Sequence, residues 1–324
     1  IIKYILTTFA VLSVSANSLL IVLVLHPSSR HLGNYRVLLC TFALVDITIS
    51  LFHLSILPVF VQAEFGFVIF AFNTLYLPDR IGYALNEFYC ILFYEPFILL
   101  TFHFFYRLLS MFRAEAVQEH FMKGLAGAIV INVGIALMIS ADVWLIYPEI
   151  HENYFAEVLM REYSIDLSRD PAPNLIPVHY LVSAHHAAGH GSGPNWHSII
   201  SMLSCGSIIN VLIVFNICCA RAILRAVKER SVTVQLLRAL IVQFTIPIVF
   251  CVLPFFLIVG LPATGLPFGQ TGNVMGFVVS AFPVIDPICV ILAYSRFRAL
   301  LAQLFRFVTM QEETTVVQTL PNTS

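Results

Sequence analysis

Asp46, Ser50 and His53 stand four and then three residues apart in an otherwise apolar stretch, so a helix would carry them as one polar stripe. A second acid, Asp286, lies between Pro283 and Pro287 in another apolar stretch. Ionisable side chains in such surroundings are costly and turn toward a packed interior. No Lys or Arg stands at a comparable depth, so both carboxyls are expected to be protonated, to share a proton or to hold a cation. Two readings follow: a polar clasp between two helices, or an ion-regulated switch.

Arg107 closes the run HFFYR at the end of a third apolar stretch. His103, Leu100, Pro96 and Phe93 share its helical face, whereas Glu95 lies about 120° away and is expected to look toward a neighbouring helix. Arg107 itself reads either as an anchor at a lipid–water interface or as a coupling residue. His53, Phe93, Tyr94, Phe97, Leu100 and Phe255 combine aromatic and apolar surface with a few polar points, the make-up of a small-molecule pocket.

The elements that must position these residues are seven apolar spans, at about 5–25, 37–61, 85–112, 124–147, 199–220, 236–261 and 272–294. Each approaches or exceeds the roughly 20 residues that cross a bilayer's hydrocarbon. The apolar run 65–77 is shorter and reads as an interfacial or re-entrant stretch. The first span continues to Leu25, past Ser13-Val14-Ser15-Ala16, and is read as retained, not as a cleaved leader.

All basic residues except Lys3, Arg80, Arg161 and Arg169 fall on one side of these spans. The rich side is cytoplasmic by the positive-inside rule, which puts the N-terminus outside and the C-terminus inside. The expected fold is therefore an all-α seven-transmembrane helix bundle over 1–294. A short amphipathic membrane-surface helix over 295–310 and a disordered cytoplasmic tail over 311–324 follow it. The helix rests on Phe297, Leu300, Leu301, Leu304, Phe305 and Val308 facing away from Arg298, Gln303 and Arg306.

A chain that is 59% hydrophobic and 11% charged needs lipid to solvate its surface. The basic residues form a cytoplasmic band, which excludes nucleic acid as a partner. Arg221, Arg225 and Lys228 recur at i, i+4 and i+7 beyond the fifth span, a basic ridge suited to a G protein or to anionic membrane lipid. Of seven cysteines only Cys90 lies near the outer surface. No disulfide can therefore pin the long outer loop 148–198, which must be held by packing or stay mobile.

That loop carries His179, His185, His186, His190 and His197 among Gly, Ala and Ser, a solvated insertion without preset ligand geometry, so no metal site is assigned. The loop's acids, from Glu149 to Asp170, read as a solvated rim. Asn322-Thr323-Ser324 is a glycosylation-type triplet on the cytoplasmic side and is expected to be unused. No HExxH or GxSxG run is present, so neither an enzyme nor a cofactor is expected.

Four segments in register carry a resemblance. Tyr35-Arg36-Val37-Leu38-Leu39 leading into FALVDITIS, HFFYR, QLLRALIVQFTIPIVFCVLP at 235–254 and FPVIDPICVILAYSRFR at 282–298 resemble the nematode seven-transmembrane chemoreceptors of the Str superfamily, nearest its Str and Srj groups. The resemblance implies a G-protein-coupled chemosensory receptor. It would bind an odorant or other small environmental chemical in the outer half of the bundle and activate a heterotrimeric G protein. It also implies the plasma membrane of sensory neurons and their cilia.

A fainter similarity to rhodopsin-type receptors places Asn17, Asp46 and Asp286 in a polar switch network, which Ser50 joins by its helical spacing, and makes Arg107 a G-protein-coupling residue beside the basic ridge of Arg221, Arg225 and Lys228. Val252 and Val290 replace the aromatic residues that the similarity would call for. The alternative class is a transporter or ligand-gated channel that uses Asp46, Glu95, Asp142 and Asp286 as an ion or proton path.

Overall fold

The computed structural model describes residues 2–63, 65–146, 155–168, 174–182, 193–230, 234–266, 272–303 and 306. It is a mostly helical, multi-pass membrane protein with seven helical spans long and apolar enough to cross a bilayer. In chain order its helices are α1 (Ile2–Leu25), α2 (Tyr35–Ile56), α3 (Asp79–Phe112), the short α4 (Ala114–Glu119), α5 (Phe121–Ile146) and α6 (Ala156–Tyr163). Then come α7 (Trp196–Arg230), α8 (Val234–Pro247), α9 (Leu253–Gly260) and α10 (Gly272–Ala293). A five-residue π turn, Ile248–Val252, joins α8 to α9 into one span. Pro254 has no N–H for the turn before it, and a locally widened helix is a common way to absorb that loss.

The expected all-α architecture needs a correction. Five strands are present: β1 (Pro58–Ala63), β2 (Gly66–Ala71), β3 (Leu175–His179), β4 (Leu181–Val182) and β5 (Gly193–Pro194). The first three form an antiparallel sheet in the order β1-β2-β3 at the end of the bundle that holds the start of α1. The expected second span, 37–61, ends as a helix at Ile56. Leu57 takes a left-handed φ of 54° and precedes a proline, which disfavours the α region. Pro58 therefore starts a strand and does not kink a helix. The run 65–77 becomes β2 and a 3-10 turn over Phe72–Thr74, because Phe67-Val68-Ile69-Phe70 suits a buried strand.

The β1 edge of the sheet is fastened to α9 and α10. The backbone N–H of Phe60 donates to Asn273 Oδ1 (3.2 Å), and Gln62 Nε2 donates to the Ile258 carbonyl (3.1 Å). Tyr163, at the end of α6, packs its ring on Phe70 and accepts from Asn273 Nδ2 at 2.6 Å. Burial pushes the Tyr163 phenol above its ordinary pKa, partly offset by that bond, so it stays neutral. Lys3, Arg80 and Arg161 lie at this sheet end, and the other basic residues of the described segments lie at the opposite, basic end or in the loops there.

The long loop between α5 and α7 is held without sulfur, and all seven cysteines are free. Strand β3 pairs with β2 from Gly66↔His179 to Phe70↔Leu175. Just ahead of it, Asn174 Nδ2 reaches the carbonyls of Thr74 (3.2 Å), Leu75 (3.3 Å) and Leu77 (2.8 Å). Its backbone N–H donates to Leu75, and its carbonyl accepts from Asn86 on α3. Gly82 makes room for this side chain, since a Cβ there would stand 2.2 Å from Asn174 Nδ2.

α3 runs through the centre, touching α2, α5, α7 and α8, while α1 packs on α2 and α10. After α10 the chain is helical again over 295–303, with Phe297 and Leu300 buried and Arg296 and Arg298 exposed. Leu304, Phe305, Val308, the tail 311–324 and its Asn-Thr-Ser triplet lie outside the described residues. So do Glu149, Glu152, Asp170, His185, His186 and His190.

Candidate functional site

Three arrangements bring the sequence's polar and aromatic residues together. The first is the junction of α1, α2 and α10. Pro287 has no N–H, so the carbonyl of Pro283, four residues earlier, loses its intrahelical donor. α1 supplies two replacements: Asn17 Nδ2 at 2.9 Å and Ser13 Oγ at 3.2 Å. Ser50 of α2 donates to Ser13 Oγ at 2.7 Å, and His53 Nδ1 meets Ser280 Oγ at 3.1 Å. Asn17, Asp46, Ser50 and Asp286 are all buried here. Both carboxylate oxygens of Asp46, Asp286 Oδ1 and Asn17 Oδ1 receive no hydrogen bond among the described residues. The junction is thus saturated with donors around Pro283 and short of them around the acids. Ser13 and Ser280 are members that sequence reading missed; the Pro283–Pro287 spacing was the available signal.

That imbalance makes two substitutions informative. Asp46→Asn is expected to raise the thermal midpoint of the purified receptor by several degrees, because burying a carboxylate without donors costs more than burying a neutral carboxamide. Asn17→Ala should lower it, since net losses of about 1 kcal/mol per hydrogen bond apply at two contacts. Thermal unfolding of both variants checks the pair, and shifts in the same direction would contradict the reading.

The second arrangement is at the basic end. The Arg107 guanidinium lies over the Tyr35 ring, 3.5 Å from its centroid, and Nη2 donates to Tyr294 Oη at 2.8 Å. Tyr35 comes from the start of α2 and Tyr294 from the residue after α10, so Arg107 ties three helices. His103, one turn before it, meets the Leu38 carbonyl through Nε2 (3.2 Å) and the Tyr35 hydroxyl through Nδ1 (3.3 Å). A carbonyl only accepts, so in the neutral ring Nε2 carries the proton and Tyr35 donates to Nδ1. Tyr35, His103 and Tyr294 were not singled out from sequence. Arg221 and Arg225 are exposed on α7, which continues as a helix to Arg230 and so carries Lys228 one turn further on.

The third arrangement is a cavity beneath the sheet, with about 740 Å³ of atom-free space, its open side included. Phe60, Phe67 and Ile176 of the three strands roof it; Phe93, Tyr94 and Phe255 line its sides. Phe93 stacks on Phe255 at 5.4 Å between ring centroids and meets Tyr94 edge-on at 5.6 Å. Of the six expected pocket residues these three reach the wall. His53, Phe97 and Leu100 stand behind it, His53 against the Tyr89 ring and the other two in the core of α3. Among the described residues no Lys, Arg, Asp, Glu or His lines the cavity. The strand residues were missed because a strand covered on both faces shows no alternation in sequence.

The remaining acids are dispersed. Glu95 accepts from Asn132 Nδ2 of α5 at 2.8 Å, and the Asp142 carboxylate receives the Cys205 thiol at 3.6 Å. Neither touches the junction that holds Asp46 and Asp286. Among the described residues no group of three or more His, Cys, Asp and Glu could hold a metal ion. His179 accepts through Nε2 from Asn195 Nδ2 at 2.9 Å.

Comparison with known proteins agrees with this architecture. The chain is similar to serpentine receptor class J-38 of Caenorhabditis elegans, at 26% identity over 93% of each chain. It is similar to serpentine receptor class r-10 of Caenorhabditis briggsae, at 20% identity over 92% of this chain and 88% of the relative. A family match, described as serpentine type 7TM GPCR chemoreceptor Str, spans residues 2–302. With the match running from α1 to the helix after α10, the chain belongs to the Str family of serpentine seven-transmembrane chemoreceptors.

Proposed function

We propose that this receptor binds a small, uncharged, largely apolar environmental chemical in the cavity under the sheet and in response activates a heterotrimeric G protein at its basic end. The observation that carries the reading is the composition of the cavity wall. An ionic ligand would be desolvated there without a counter-charge, at a cost of several kcal/mol. A hydrocarbon-rich ligand gains from the aromatic and aliphatic surface of that wall.

Binding and coupling are linked through α3, which carries Phe93 and Tyr94 at the cavity and Arg107 at the opposite end. The π turn between α8 and α9 and the prolines of α10 give the neighbouring spans alternative packings. A ligand shifts that balance only if it favours one arrangement over the other. Asn17, Asp46, Ser50 and Asp286 are the polar network that would rearrange. Arg107, Arg221, Arg225 and Lys228 would face the G protein, with the N-terminus outside the cell and the membrane-surface helix inside. Display on the sensory-neuron plasma membrane and its cilia completes the reading.

A G-protein activation assay over a panel of volatile and water-soluble compounds tests it. Neutral apolar compounds should activate, charged ones should not, and Val279→Trp, which fills the cavity, should cut the response at least tenfold at unchanged surface level. Activation confined to charged compounds, or a full response in Val279→Trp, would refute the assignment. Stimulus-evoked current that persists with G-protein signalling blocked would favour the channel class instead.

A further inference from the structure

α5 is the least enclosed of the seven spans. Only 6% of the residues in its apolar stretch are buried, against 33% or more in each of the others. It stands off α2 and α3, leaving a cleft of about 1630 Å³ of atom-free space, its open side included. The walls are hydrocarbon for most of their length, with Leu99, Phe102, Leu109 and Val133 among them. The two ends differ. At the basic end the cleft is lined by Arg113, His120 and Lys123; at the other it stops at the hydrogen-bonded pair Glu95 and Asn132.

The charges at the mouth are unbalanced. Glu115 and Glu119, the acids of the same loop, do not line the cleft, and Glu119 lies 3.9 Å from His120 Nδ1. Among the described residues no ion pair engages Arg113 or Lys123. Two cationic side chains are therefore left facing a slot that is otherwise apolar.

Its length selects the occupant further. From Lys123 to Val133 the cleft follows ten residues of α5, about 15 Å at 1.5 Å per residue. That is half of a bilayer's roughly 30 Å hydrocarbon thickness, the depth of one leaflet. Glu95, where the cleft ends, is near the midpoint of α3.

We infer that this cleft is a binding site for one anionic phospholipid, its headgroup at Arg113 and Lys123 and one acyl chain lying along Leu99, Phe102 and Val133 toward Asn132. A neutral lipid enters the same slot without the headgroup attraction, and a soluble anion lacks the chain that fills it. Assignment to the cytoplasmic leaflet rests on the topology proposed above; the chemistry of binding does not.

Native mass spectrometry of the full chain released from detergent micelles, titrated with phosphatidylserine or with phosphatidylcholine of identical chains, tests the site. Wild type should bind phosphatidylserine roughly thirtyfold more tightly, the scale expected for two basic side chains at a headgroup. Arg113→Gln with Lys123→Gln should erase that preference while phosphatidylcholine binding stays the same. Ala128→Trp, within the cleft, should weaken both lipids. Arg221→Gln with Arg225→Gln should change neither.

Equal affinity for the two lipids in wild type would overturn the proposal. So would a preference that survives Arg113→Gln with Lys123→Gln but falls with the Arg221 and Arg225 pair, or undiminished binding in Ala128→Trp. Neither chemical stimulus nor G protein enters this measurement, so its outcome and that of the receptor assay are independent.

Discussion

Arg107→Ala is expected to reduce stimulus-evoked G-protein activation to background while the receptor remains at the cell surface. In the structure the guanidinium is held within the bundle by the Tyr35 ring and the Tyr294 hydroxyl. Alanine removes both the cation that would meet the G protein and the tie between α2, α3 and the end of α10. Tyr294→Phe separates these effects. It deletes one hydrogen bond to a charged group, worth about 1.5–3 kcal/mol, and leaves Arg107 in place.

If Arg107 must leave this clamp to couple, Tyr294→Phe raises signalling without stimulus by about tenfold or more. Arg107→Lys should not rescue, because an ammonium lacks the planar fork of donors with which a guanidinium would meet the G protein. G-protein activation measured at matched surface expression decides the matter. An unchanged response in Arg107→Ala would remove that residue from coupling, and lowered basal signalling in Tyr294→Phe would remove the clamp.

Asn174→Ala is expected to produce the largest loss of stability. Its two amide N–H groups serve three carbonyls in the segment ahead of α3, one N–H being shared, and about 1 kcal/mol for each N–H sums to roughly 2 kcal/mol. At the scale of a few degrees per kcal/mol, the thermal midpoint should fall by about 4–8 °C. The stimulus response should weaken with it, since β3 supplies Ile176 and Val178 to the cavity.

Gly82 provides the internal control. In an otherwise wild-type chain Gly82→Ala places a Cβ against the anchored Asn174 amide and should destabilise. In the Asn174→Ala background the obstruction is gone and the same change should cost little, a non-additivity that a double-mutant cycle reads directly. Strict additivity of the two substitutions would show that Asn174 does not act through this contact.

The seven spans were legible because each apolar run is long enough to leave few alternatives, and the side chosen for the basic residues follows from the same runs. Span ends were less legible. Asp79 to Ala84 is helical ahead of the expected start at Leu85, because a polar first turn projecting from lipid carries no hydropathy signal. The sheet was invisible for a related reason: Val59-Phe60-Val61 and Phe67-Val68 are buried on both faces without alternation, so the first reads as the end of the span 37–61 and the second as part of the apolar run 65–77.

In the sites, the polar stripe of Asp46, Ser50 and His53 was readable from local helical spacing. The partners that give it meaning, Ser13, Ser280 and the Pro283 carbonyl, are brought in by packing between distant segments. Arg107 was conspicuous as a lone cation, but its contact with Tyr294 joins residues 187 positions apart. No spacing rule reaches that far.

The fastening at Asn174 has a bearing on the setting in which the receptor can work. A cystine holding the same loop would break under reductants and reshuffle under oxidants, so the shape of the cavity would follow the thiol chemistry around it. Amide-to-carbonyl bonds carry no electrons to gain or lose, and all seven sulfurs stand apart as thiols. The roof over the cavity is thereby insulated from the redox potential of its surroundings.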